Sequence, residues 1–113
     1  MAEPCIFCQI VRGEIPTQMM ANTGDCVAFR DLNPQAPTHI LIIPKKHMAS
    51  LDDAMDGQVL GKMMVLAASL ARQEKISRTG YRTVINTGAD GGQSVAHLHL
   101  HLLGGRAMAW PPG

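Results

Sequence analysis

The sequence predicts an α+β fold in which an antiparallel sheet carries one long helix and one short one. Three observations lead there. Short β-rich runs are separated by turn residues rather than by repeated helical crossovers. Only one stretch has the length and periodicity of a long amphipathic helix. Gly and Pro occur singly or in short clusters, as turn punctuation does, with no repeat, low-complexity segment or linker between them. The chain has 113 residues and 46% of them are apolar, enough for one core.

Each element follows from its residues. Residues 4–12 (Pro-Cys-Ile-Phe-Cys-Gln-Ile-Val-Arg) read as a short helix, with Pro4 in the first turn and Gly13 at its end. In residues 25–31 Val27 and Phe29 share one face and Cys26 and Ala28 the other, as in a strand ending near Asp31. Asn33-Pro34-Gln35-Ala36-Pro37 continues neither helix nor ladder. Thr38 to Ile43 is a β-rich run stopped by Pro44 and reads as a buried strand. Asp52, Asp53 and Asp56 are capping acids for a helix over residues 56–75. On it Val59, Met63, Leu66 and Leu70 form one stripe, with Leu60, Met64, Ala67 and Ala71 beside it. Residues 81–86 form a further strand, residues 87–94 a glycine-rich loop, and residues 95–103 the last strand, ended by Gly104 and Gly105.

Bulk properties narrow the function. Lys and Arg number 10 and Asp and Glu 9, so charge gives no reason to expect nucleic acid or a membrane surface as partner. No apolar run approaches the roughly 18 residues of a membrane span, and no signal peptide is apparent, so the cytoplasm is the expected location. Three cysteines, an odd number, argue against a disulfide framework.

The chemistry concentrates in His97-Leu98-His99-Leu100-His101. Strand side chains alternate faces, so the three histidines point one way and Leu98, Leu100 and Leu102 the other, into the core. Three readings stand: a solvated strand face, a metal site built on His-x-His, and nucleophilic catalysis by a neutral imidazole whose second nitrogen is held by a hydrogen bond. The preceding Gly91-Gly92-Gln93-Ser94 lets backbone N–H groups approach an anion closely, with a hydroxyl alongside. Together the loop and the histidines favour phosphoryl or nucleotidyl transfer, with His99 as nucleophile. Cys5-Ile6-Phe7-Cys8 has metal-ligand spacing but is only half a site. Two helix thiols without an ion are the alternative, and nothing around the pair resembles a redox unit.

The run His97-Leu98-His99-Leu100-His101-Leu102-Leu103 resembles the signature of the histidine triad (HIT) family. Cys5-Ile6-Phe7-Cys8, Gly13-Glu14-Ile15-Pro16, Pro34 to His39, Ile43 to His47, Gly91 to Val95 and Trp110-Pro111-Pro112-Gly113 are similar to its Hint branch. The resemblance covers nearly the whole chain. It implies one HIT domain over residues 1–113 with about five strands, joined to a second copy through a continuous sheet, with the tail 104–113 reaching the partner. It implies a purine nucleoside phosphoramidase acting on adenosine 5′-monophosphoramidate and related acyl-AMP compounds, with AMP or GMP as nucleotide ligands and no cofactor needed for catalysis. Dinucleoside polyphosphate hydrolysis and a nucleotide-binding regulatory role are the alternatives.

Residue by residue, the resemblance implies that His99 attacks the α-phosphorus, His101 donates to a phosphate oxygen, His97 orients the site and His39 stands behind it. Ser94 and the Gly92-Gln93 backbone contact phosphate or the leaving nitrogen. Asp31 holds the ribose hydroxyls, Asn86 lines the phosphate side, and Phe29, Leu32 and Ile6 wall the base. A structural zinc on Cys5, Cys8, His47 and His97 is implied as well. Trp110 packs on the partner near its site, or else on its own subunit. Ala96 stands where relatives commonly carry an aromatic residue.

Overall fold

The computed structural model describes residues 5–54 and 56–113. The elements in order are α1 (Ile6–Val11), β1 (Met19–Asn22), β2 (Cys26–Arg30), β3 (Thr38–Pro44), α2 (Gly57–Gln73), β4 (Tyr81–Val84) and β5 (Leu100–Gly104), with a 3-10 turn at Leu51–Asp53. The five strands form one antiparallel sheet in the order β1-β2-β3-β5-β4. The α+β expectation holds.

The sheet separates two apolar layers. Cys26, Ala28, Ile40, Ile42, Leu98, Leu100 and Leu102 face α2, which contributes Met63, Ala67, Leu70 and Ala71. Val27, Phe29, Leu41 and Ile43 face the other way, against Phe7 and Ile10 of α1. The alternation of β2 and β3 therefore sorts side chains by period two. In β3 every residue is buried, because both faces are covered. His39 lies on the α1 face of β3 and His101 on the same face of β5, where the register sets Leu41 opposite His101.

Several boundaries differ from the sequence expectation, each for a local reason. Pro4 lies outside the described residues, and α1 begins at Ile6 behind a Cys5 cap whose sulfur accepts from the Cys8 amide. Asp52 and Asp53 do not cap α2. They belong to the 3-10 turn, which Ser50 caps, and Asp56 alone caps α2 by accepting from the Gln58 amide at 2.9 Å. At its other end α2 stops at Gln73 rather than at 75. Lys75 takes a left-handed φ of 61°, and Ile76 N–H donates to the Ala71 carbonyl, a Schellman closure made without glycine. Met64, expected beside the buried stripe, is 46% exposed. Strand β1 has no counterpart in the sequence reading. Its Met-Met-Ala-Asn run lacks alternation, and its pairing with β2 slips between Met19 and Ala21.

The largest difference is at the histidines. The sequence places a strand over residues 95–103, but ladder pairing begins at Leu100 and runs to Gly104. Extending the β3–β5 register sets Pro44 opposite Leu98, and proline has no N–H to donate. The Leu98 N–H donates instead to the Met48 carbonyl at 2.7 Å. Period-two alternation persists without the ladder, since Leu98 stays in the α2 core. Similarly β4 pairs only over Tyr81–Val84, short of the expected 86.

Leu100 is fully buried between α2 and the sheet. Replacing it with alanine leaves a cavity that the two layers cannot close. We expect Leu100→Ala to lose about 2–5 kcal/mol in urea unfolding; a loss below about 1 kcal/mol would contradict this packing.

Candidate active site

A cleft of about 760 Å³ opens on the α1 face of the sheet. Phe7, Phe29 and Leu41 form its apolar floor, and Asp31, Ser94, His99 and His101 bring polar groups to it. Ile6 and Leu32 stand at the rim, 49% and 101% exposed. A mainly apolar concavity with a few converging polar groups is the ordinary form of a small-ligand site.

Tautomers in the site are fixed by partners that have only one role. A carbonyl only accepts, and Nδ1 of His99 lies 2.7 Å from the His97 carbonyl. Nδ1 therefore carries the proton, and Nε2 keeps its lone pair. A backbone amide only donates, and the Gln35 N–H meets Nδ1 of His39 at 3.0 Å. The His39 proton is consequently on Nε2, which lies 2.9 Å from Nδ1 of His101 and donates to it. The His101 proton is then on Nε2. The result is a directed chain: Gln35 amide, His39, His101.

Electrostatics keep this chain neutral. Burial pushes His101 down to about 4, with His99 and His39 adding to the effect. Burial also lowers His39, against the opposing pull of Asp31. The Asp31 carboxylate, 3.4 Å from His39 Nε2, thus faces a neutral ring, while its other oxygen accepts from the Asn33 amide at 2.8 Å. Among the described residues no buried side-chain polar atom lacks a partner.

His97 belongs to a second cluster. It is fully buried, and its Nε2 lies 2.9 Å from the Pro44 carbonyl, to which it donates. Its Nδ1 lone pair therefore points at Cys5 Sγ (3.3 Å), Cys8 Sγ (3.5 Å) and His47 Nδ1 (3.1 Å). Cys8 Sγ is also 3.3 Å from His47 Nδ1. Tetrahedral zinc bonds of about 2.0–2.3 Å set ligand atoms roughly 3.3–3.8 Å apart. Three of these four spacings fall inside that range and the fourth, 3.1 Å, just below it, so the donor set fits the ion. Burial and the neighbouring Cys5 sulfur raise the Cys8 thiol, a repulsion that a divalent cation would relieve. Burial lowers His97, which keeps it a neutral ligand.

The remaining expected residues take varied places. His39 is buried behind His101 and does not line the cleft. Gln93 braces the glycine loop: its side-chain amide donates to the Ala49 carbonyl (2.7 Å) and the Val95 carbonyl (2.9 Å), and its oxygen accepts from the Gly88 amide (3.0 Å). Gly92 turns this loop with a φ of 80°, and a Cβ on Gly91 would collide with the Thr87 carbonyl. Asn86, Gly92, Gln93 and Trp110 are not part of the cleft lining of this one chain, and Trp110 is 81% exposed.

Three contributors escaped the sequence reading. The Gln35 amide carries no side-chain signal. Phe7 sets its ring edge against His99 and His97, at centroid distances of 5.2 and 5.7 Å, yet looks like any core residue in sequence. Arg30 and Glu74 line one end of the cleft as an ion pair at 2.6 Å, from residues distant in the chain.

Fold and site together define an α+β protein whose cleft is lined by His99 and by a His101 ring hydrogen-bonded to His39, beside a glycine loop. The chain belongs to the HIT family: the HIT domain matches residues 12–108. It is 49% identical over 110 residues to the purine nucleoside phosphoramidase of Escherichia coli K12, covering 96% of this chain and 92% of that one. The crystal structure of a HIT family hydrolase from Legionella pneumophila Philadelphia 1 matches with a TM-score of 0.94 at 51% identity, over 97% of this chain and 100% of that one. A Zn-bound histidine triad family protein from Mycobacterium smegmatis matches with a TM-score of 0.81 at 30% identity, over 90% of this chain and 75% of that one.

The lowered imidazoles fix the sign of a pH effect. An unfolded His takes up its proton near pH 6.5, whereas native His101 resists until about 4. Acid therefore favours the unfolded chain across that window. We expect the melting temperature to fall from pH 6.5 to 4, and to fall less steeply in His101→Gln. Equal slopes in the two proteins would contradict the neutral, buried imidazole.

Proposed function

We propose that this chain is a purine nucleoside phosphoramidase, a hydrolase that cleaves the P–N bond of adenosine 5′-monophosphoramidate-type substrates through a nucleotidyl-His99 intermediate. The observation that carries the reading is the cleft-lining His99 with Nδ1–H held by the His97 carbonyl at 2.7 Å, which leaves Nε2 as a neutral nucleophile. The similarity to the E. coli enzyme and the Legionella hydrolase supports it.

The reaction balances on this chain's own groups. His99 Nε2 attacks the α-phosphorus, forming a P–N bond to the ring as the bond to the leaving nitrogen breaks. The departing nitrogen takes up a proton relayed from solvent through the Ser94 hydroxyl, and the water that later hydrolyses the intermediate returns a proton to solvent; Ser94 and the Gly92-Gln93 backbone neighbour this nitrogen or the phosphate. His101 Nε2–H donates to a non-bridging oxygen, and His39 holds it in that tautomer. Water then hydrolyses the phosphorus–imidazole bond and restores His99. Asp31 takes the ribose hydroxyls through the carboxylate oxygen that the Asn33 amide leaves free. Phe29, Leu32 and Ile6 wall the base, and Asn86 lines the phosphate side.

Cys5, Cys8, His47 and His97 are the proposed holders of a structural zinc, a reading supported by their spacing and by the Zn-bound mycobacterial relative. Four protein ligands close the coordination sphere, so the ion supplies a cross-link and no open site for substrate. We also infer a homodimer. The open edges of β1 and β4 and the exposed Trp110 support it, with Trp110 reaching the partner's site from a tail whose Ala109 carbonyl is held by Arg82 at 2.9 Å. Neither nucleic acid nor a membrane is part of this reading. No helix among the described residues is long and apolar enough to cross a membrane, and the cytoplasm is the proposed location.

Single-turnover reaction with adenosine 5′-monophosphoramidate, quenched in milliseconds, is expected to trap a stoichiometric adenylyl adduct on His99. His99→Ala should form none and lose at least about 10⁴-fold in kcat. An adduct elsewhere, or faster turnover of diadenosine triphosphate, would sink the proposal. Elemental analysis of purified protein should give one zinc per chain, lost in Cys5→Ser/Cys8→Ser; a metal-free wild type would reject the zinc.

A further inference from the structure

The segment that presents His99 is not held by the sheet. Ladder pairing starts one residue later, at Leu100. A brace from the end of β3 and the chain just after it takes over. Pro44 O accepts from the His97 ring, Met48 O from the Leu98 amide, and Ala49 O from the Gln93 side chain. Two of those acceptors, Pro44 and Met48, flank His47, a member of the four-ligand cluster.

His97 belongs to both ends of this arrangement. Its ring nitrogen Nδ1 sits among Cys5, Cys8 and His47. Its main-chain carbonyl is the group that fixes the proton of His99 on Nδ1. Phe7, next to Cys8 on α1, packs in a T-shaped arrangement against both the His97 and the His99 ring. α1 and His97 thus both contact the His99 ring, Phe7 of α1 through its ring and His97 through its carbonyl.

We propose that His97 is a positioning residue that couples occupancy of the Cys5/Cys8/His47/His97 cluster to the tautomer and aim of His99. The inference rests on the reading of His99 as nucleophile and of the cluster as a zinc site, and it adds that the two centres are energetically linked. With the ion bound, α1, the post-β3 brace and His97 are tied at one point, and the His97 carbonyl stays aligned with His99. With the ion removed, the His97 ring keeps its bond to Pro44 O and its packing against Phe7 but loses the tie to α1 and His47 through the ion. The carbonyl then loosens, and His99 samples both tautomers. The cysteines thus act at a distance on a reaction that takes place on the other side of His97.

The experiment compares zinc-loaded wild type, the same protein stripped with a chelator, the stripped protein reloaded with Zn²⁺ alone, and Cys5→Ala/Cys8→Ala/His47→Leu. The last replaces three of the four donors with apolar side chains, so that no ion can bind. Two quantities are read: the ¹⁵N imidazole signals of His99, and the split of kcat from KM for adenosine 5′-monophosphoramidate. The proposal predicts a single Nδ1–H tautomer in loaded protein and a mixture in the stripped and triply substituted forms. It predicts kcat lower by about tenfold or more, KM within about twofold, and both restored by Zn²⁺ only where the ligands remain. An unchanged His99 tautomer and kcat in folded, metal-free protein would overturn it. So would unfolding of both metal-free forms, which would make the cluster a folding device only. If zinc-loaded wild type neither turns over the phosphoramidate nor forms the adduct, the phosphoramidase reading fails, while the ¹⁵N comparison still decides the coupling.

Discussion

The Gln35 amide donates to Nδ1 of His39 at 3.0 Å, and the polarity of the His39–His101 pair depends on that bond. A backbone N–H cannot accept, so it dictates where His39 carries its proton, and His39 dictates the same for His101. The turn Asn33 to Pro37 between β2 and β3 is what brings this amide to bear. Asp31 helps to shape the turn by accepting from the Asn33 amide. The proposed ribose carboxylate and the amide that sets the tautomers are thus parts of one local structure. Burial enforces the chain, because charging His39 or His101 in this setting costs desolvation.

A second constraint comes from Pro44. Without an N–H it stops the β3–β5 ladder, and the residues that would have continued β5 are free of sheet geometry. That freedom lets one short segment reach both the Cys5/Cys8/His47 cluster and the cleft. His97 turns its ring to the thiols and its carbonyl to His99, while His99 and His101 stay over the cleft. A continuous ladder would commit the backbone carbonyls to pairing. The Gln93 side chain then carries the same bracing into the glycine loop.

Much of this was legible in the sequence, and the reasons are specific. The facing of Leu98, Leu100 and Leu102 was readable because period two survives the loss of the ladder. The faces of Cys26, Val27, Ala28 and Phe29 were readable for the same reason. The start of β5 was not, since it depends on a proline more than fifty positions earlier in the chain. Strand β1 carries no alternation and draws its structure from pairing with β2. The end of α2 was misplaced because Lys75 fills a left-handed position that sequence assigns to glycine. In the candidate site, resemblance gathered Cys5, Cys8, His47 and His97, and the structure brings their ligand atoms within 4.8 Å of one another. The spacing of Cys5 and Cys8 alone reached only half of that set. The Gln35 amide was invisible because its role is played by the main chain.

The direction of the His39–His101 bond sets which nitrogen His101 can present to a substrate oxygen. Uniformly ¹⁵N-labelled protein, observed at neutral pH through its long-range imidazole couplings, reports both rings. We expect Nε2–H on His39 and on His101, each with an unprotonated Nδ1. A proton on Nδ1 of His101, or a doubly protonated ring at pH 7, would contradict it.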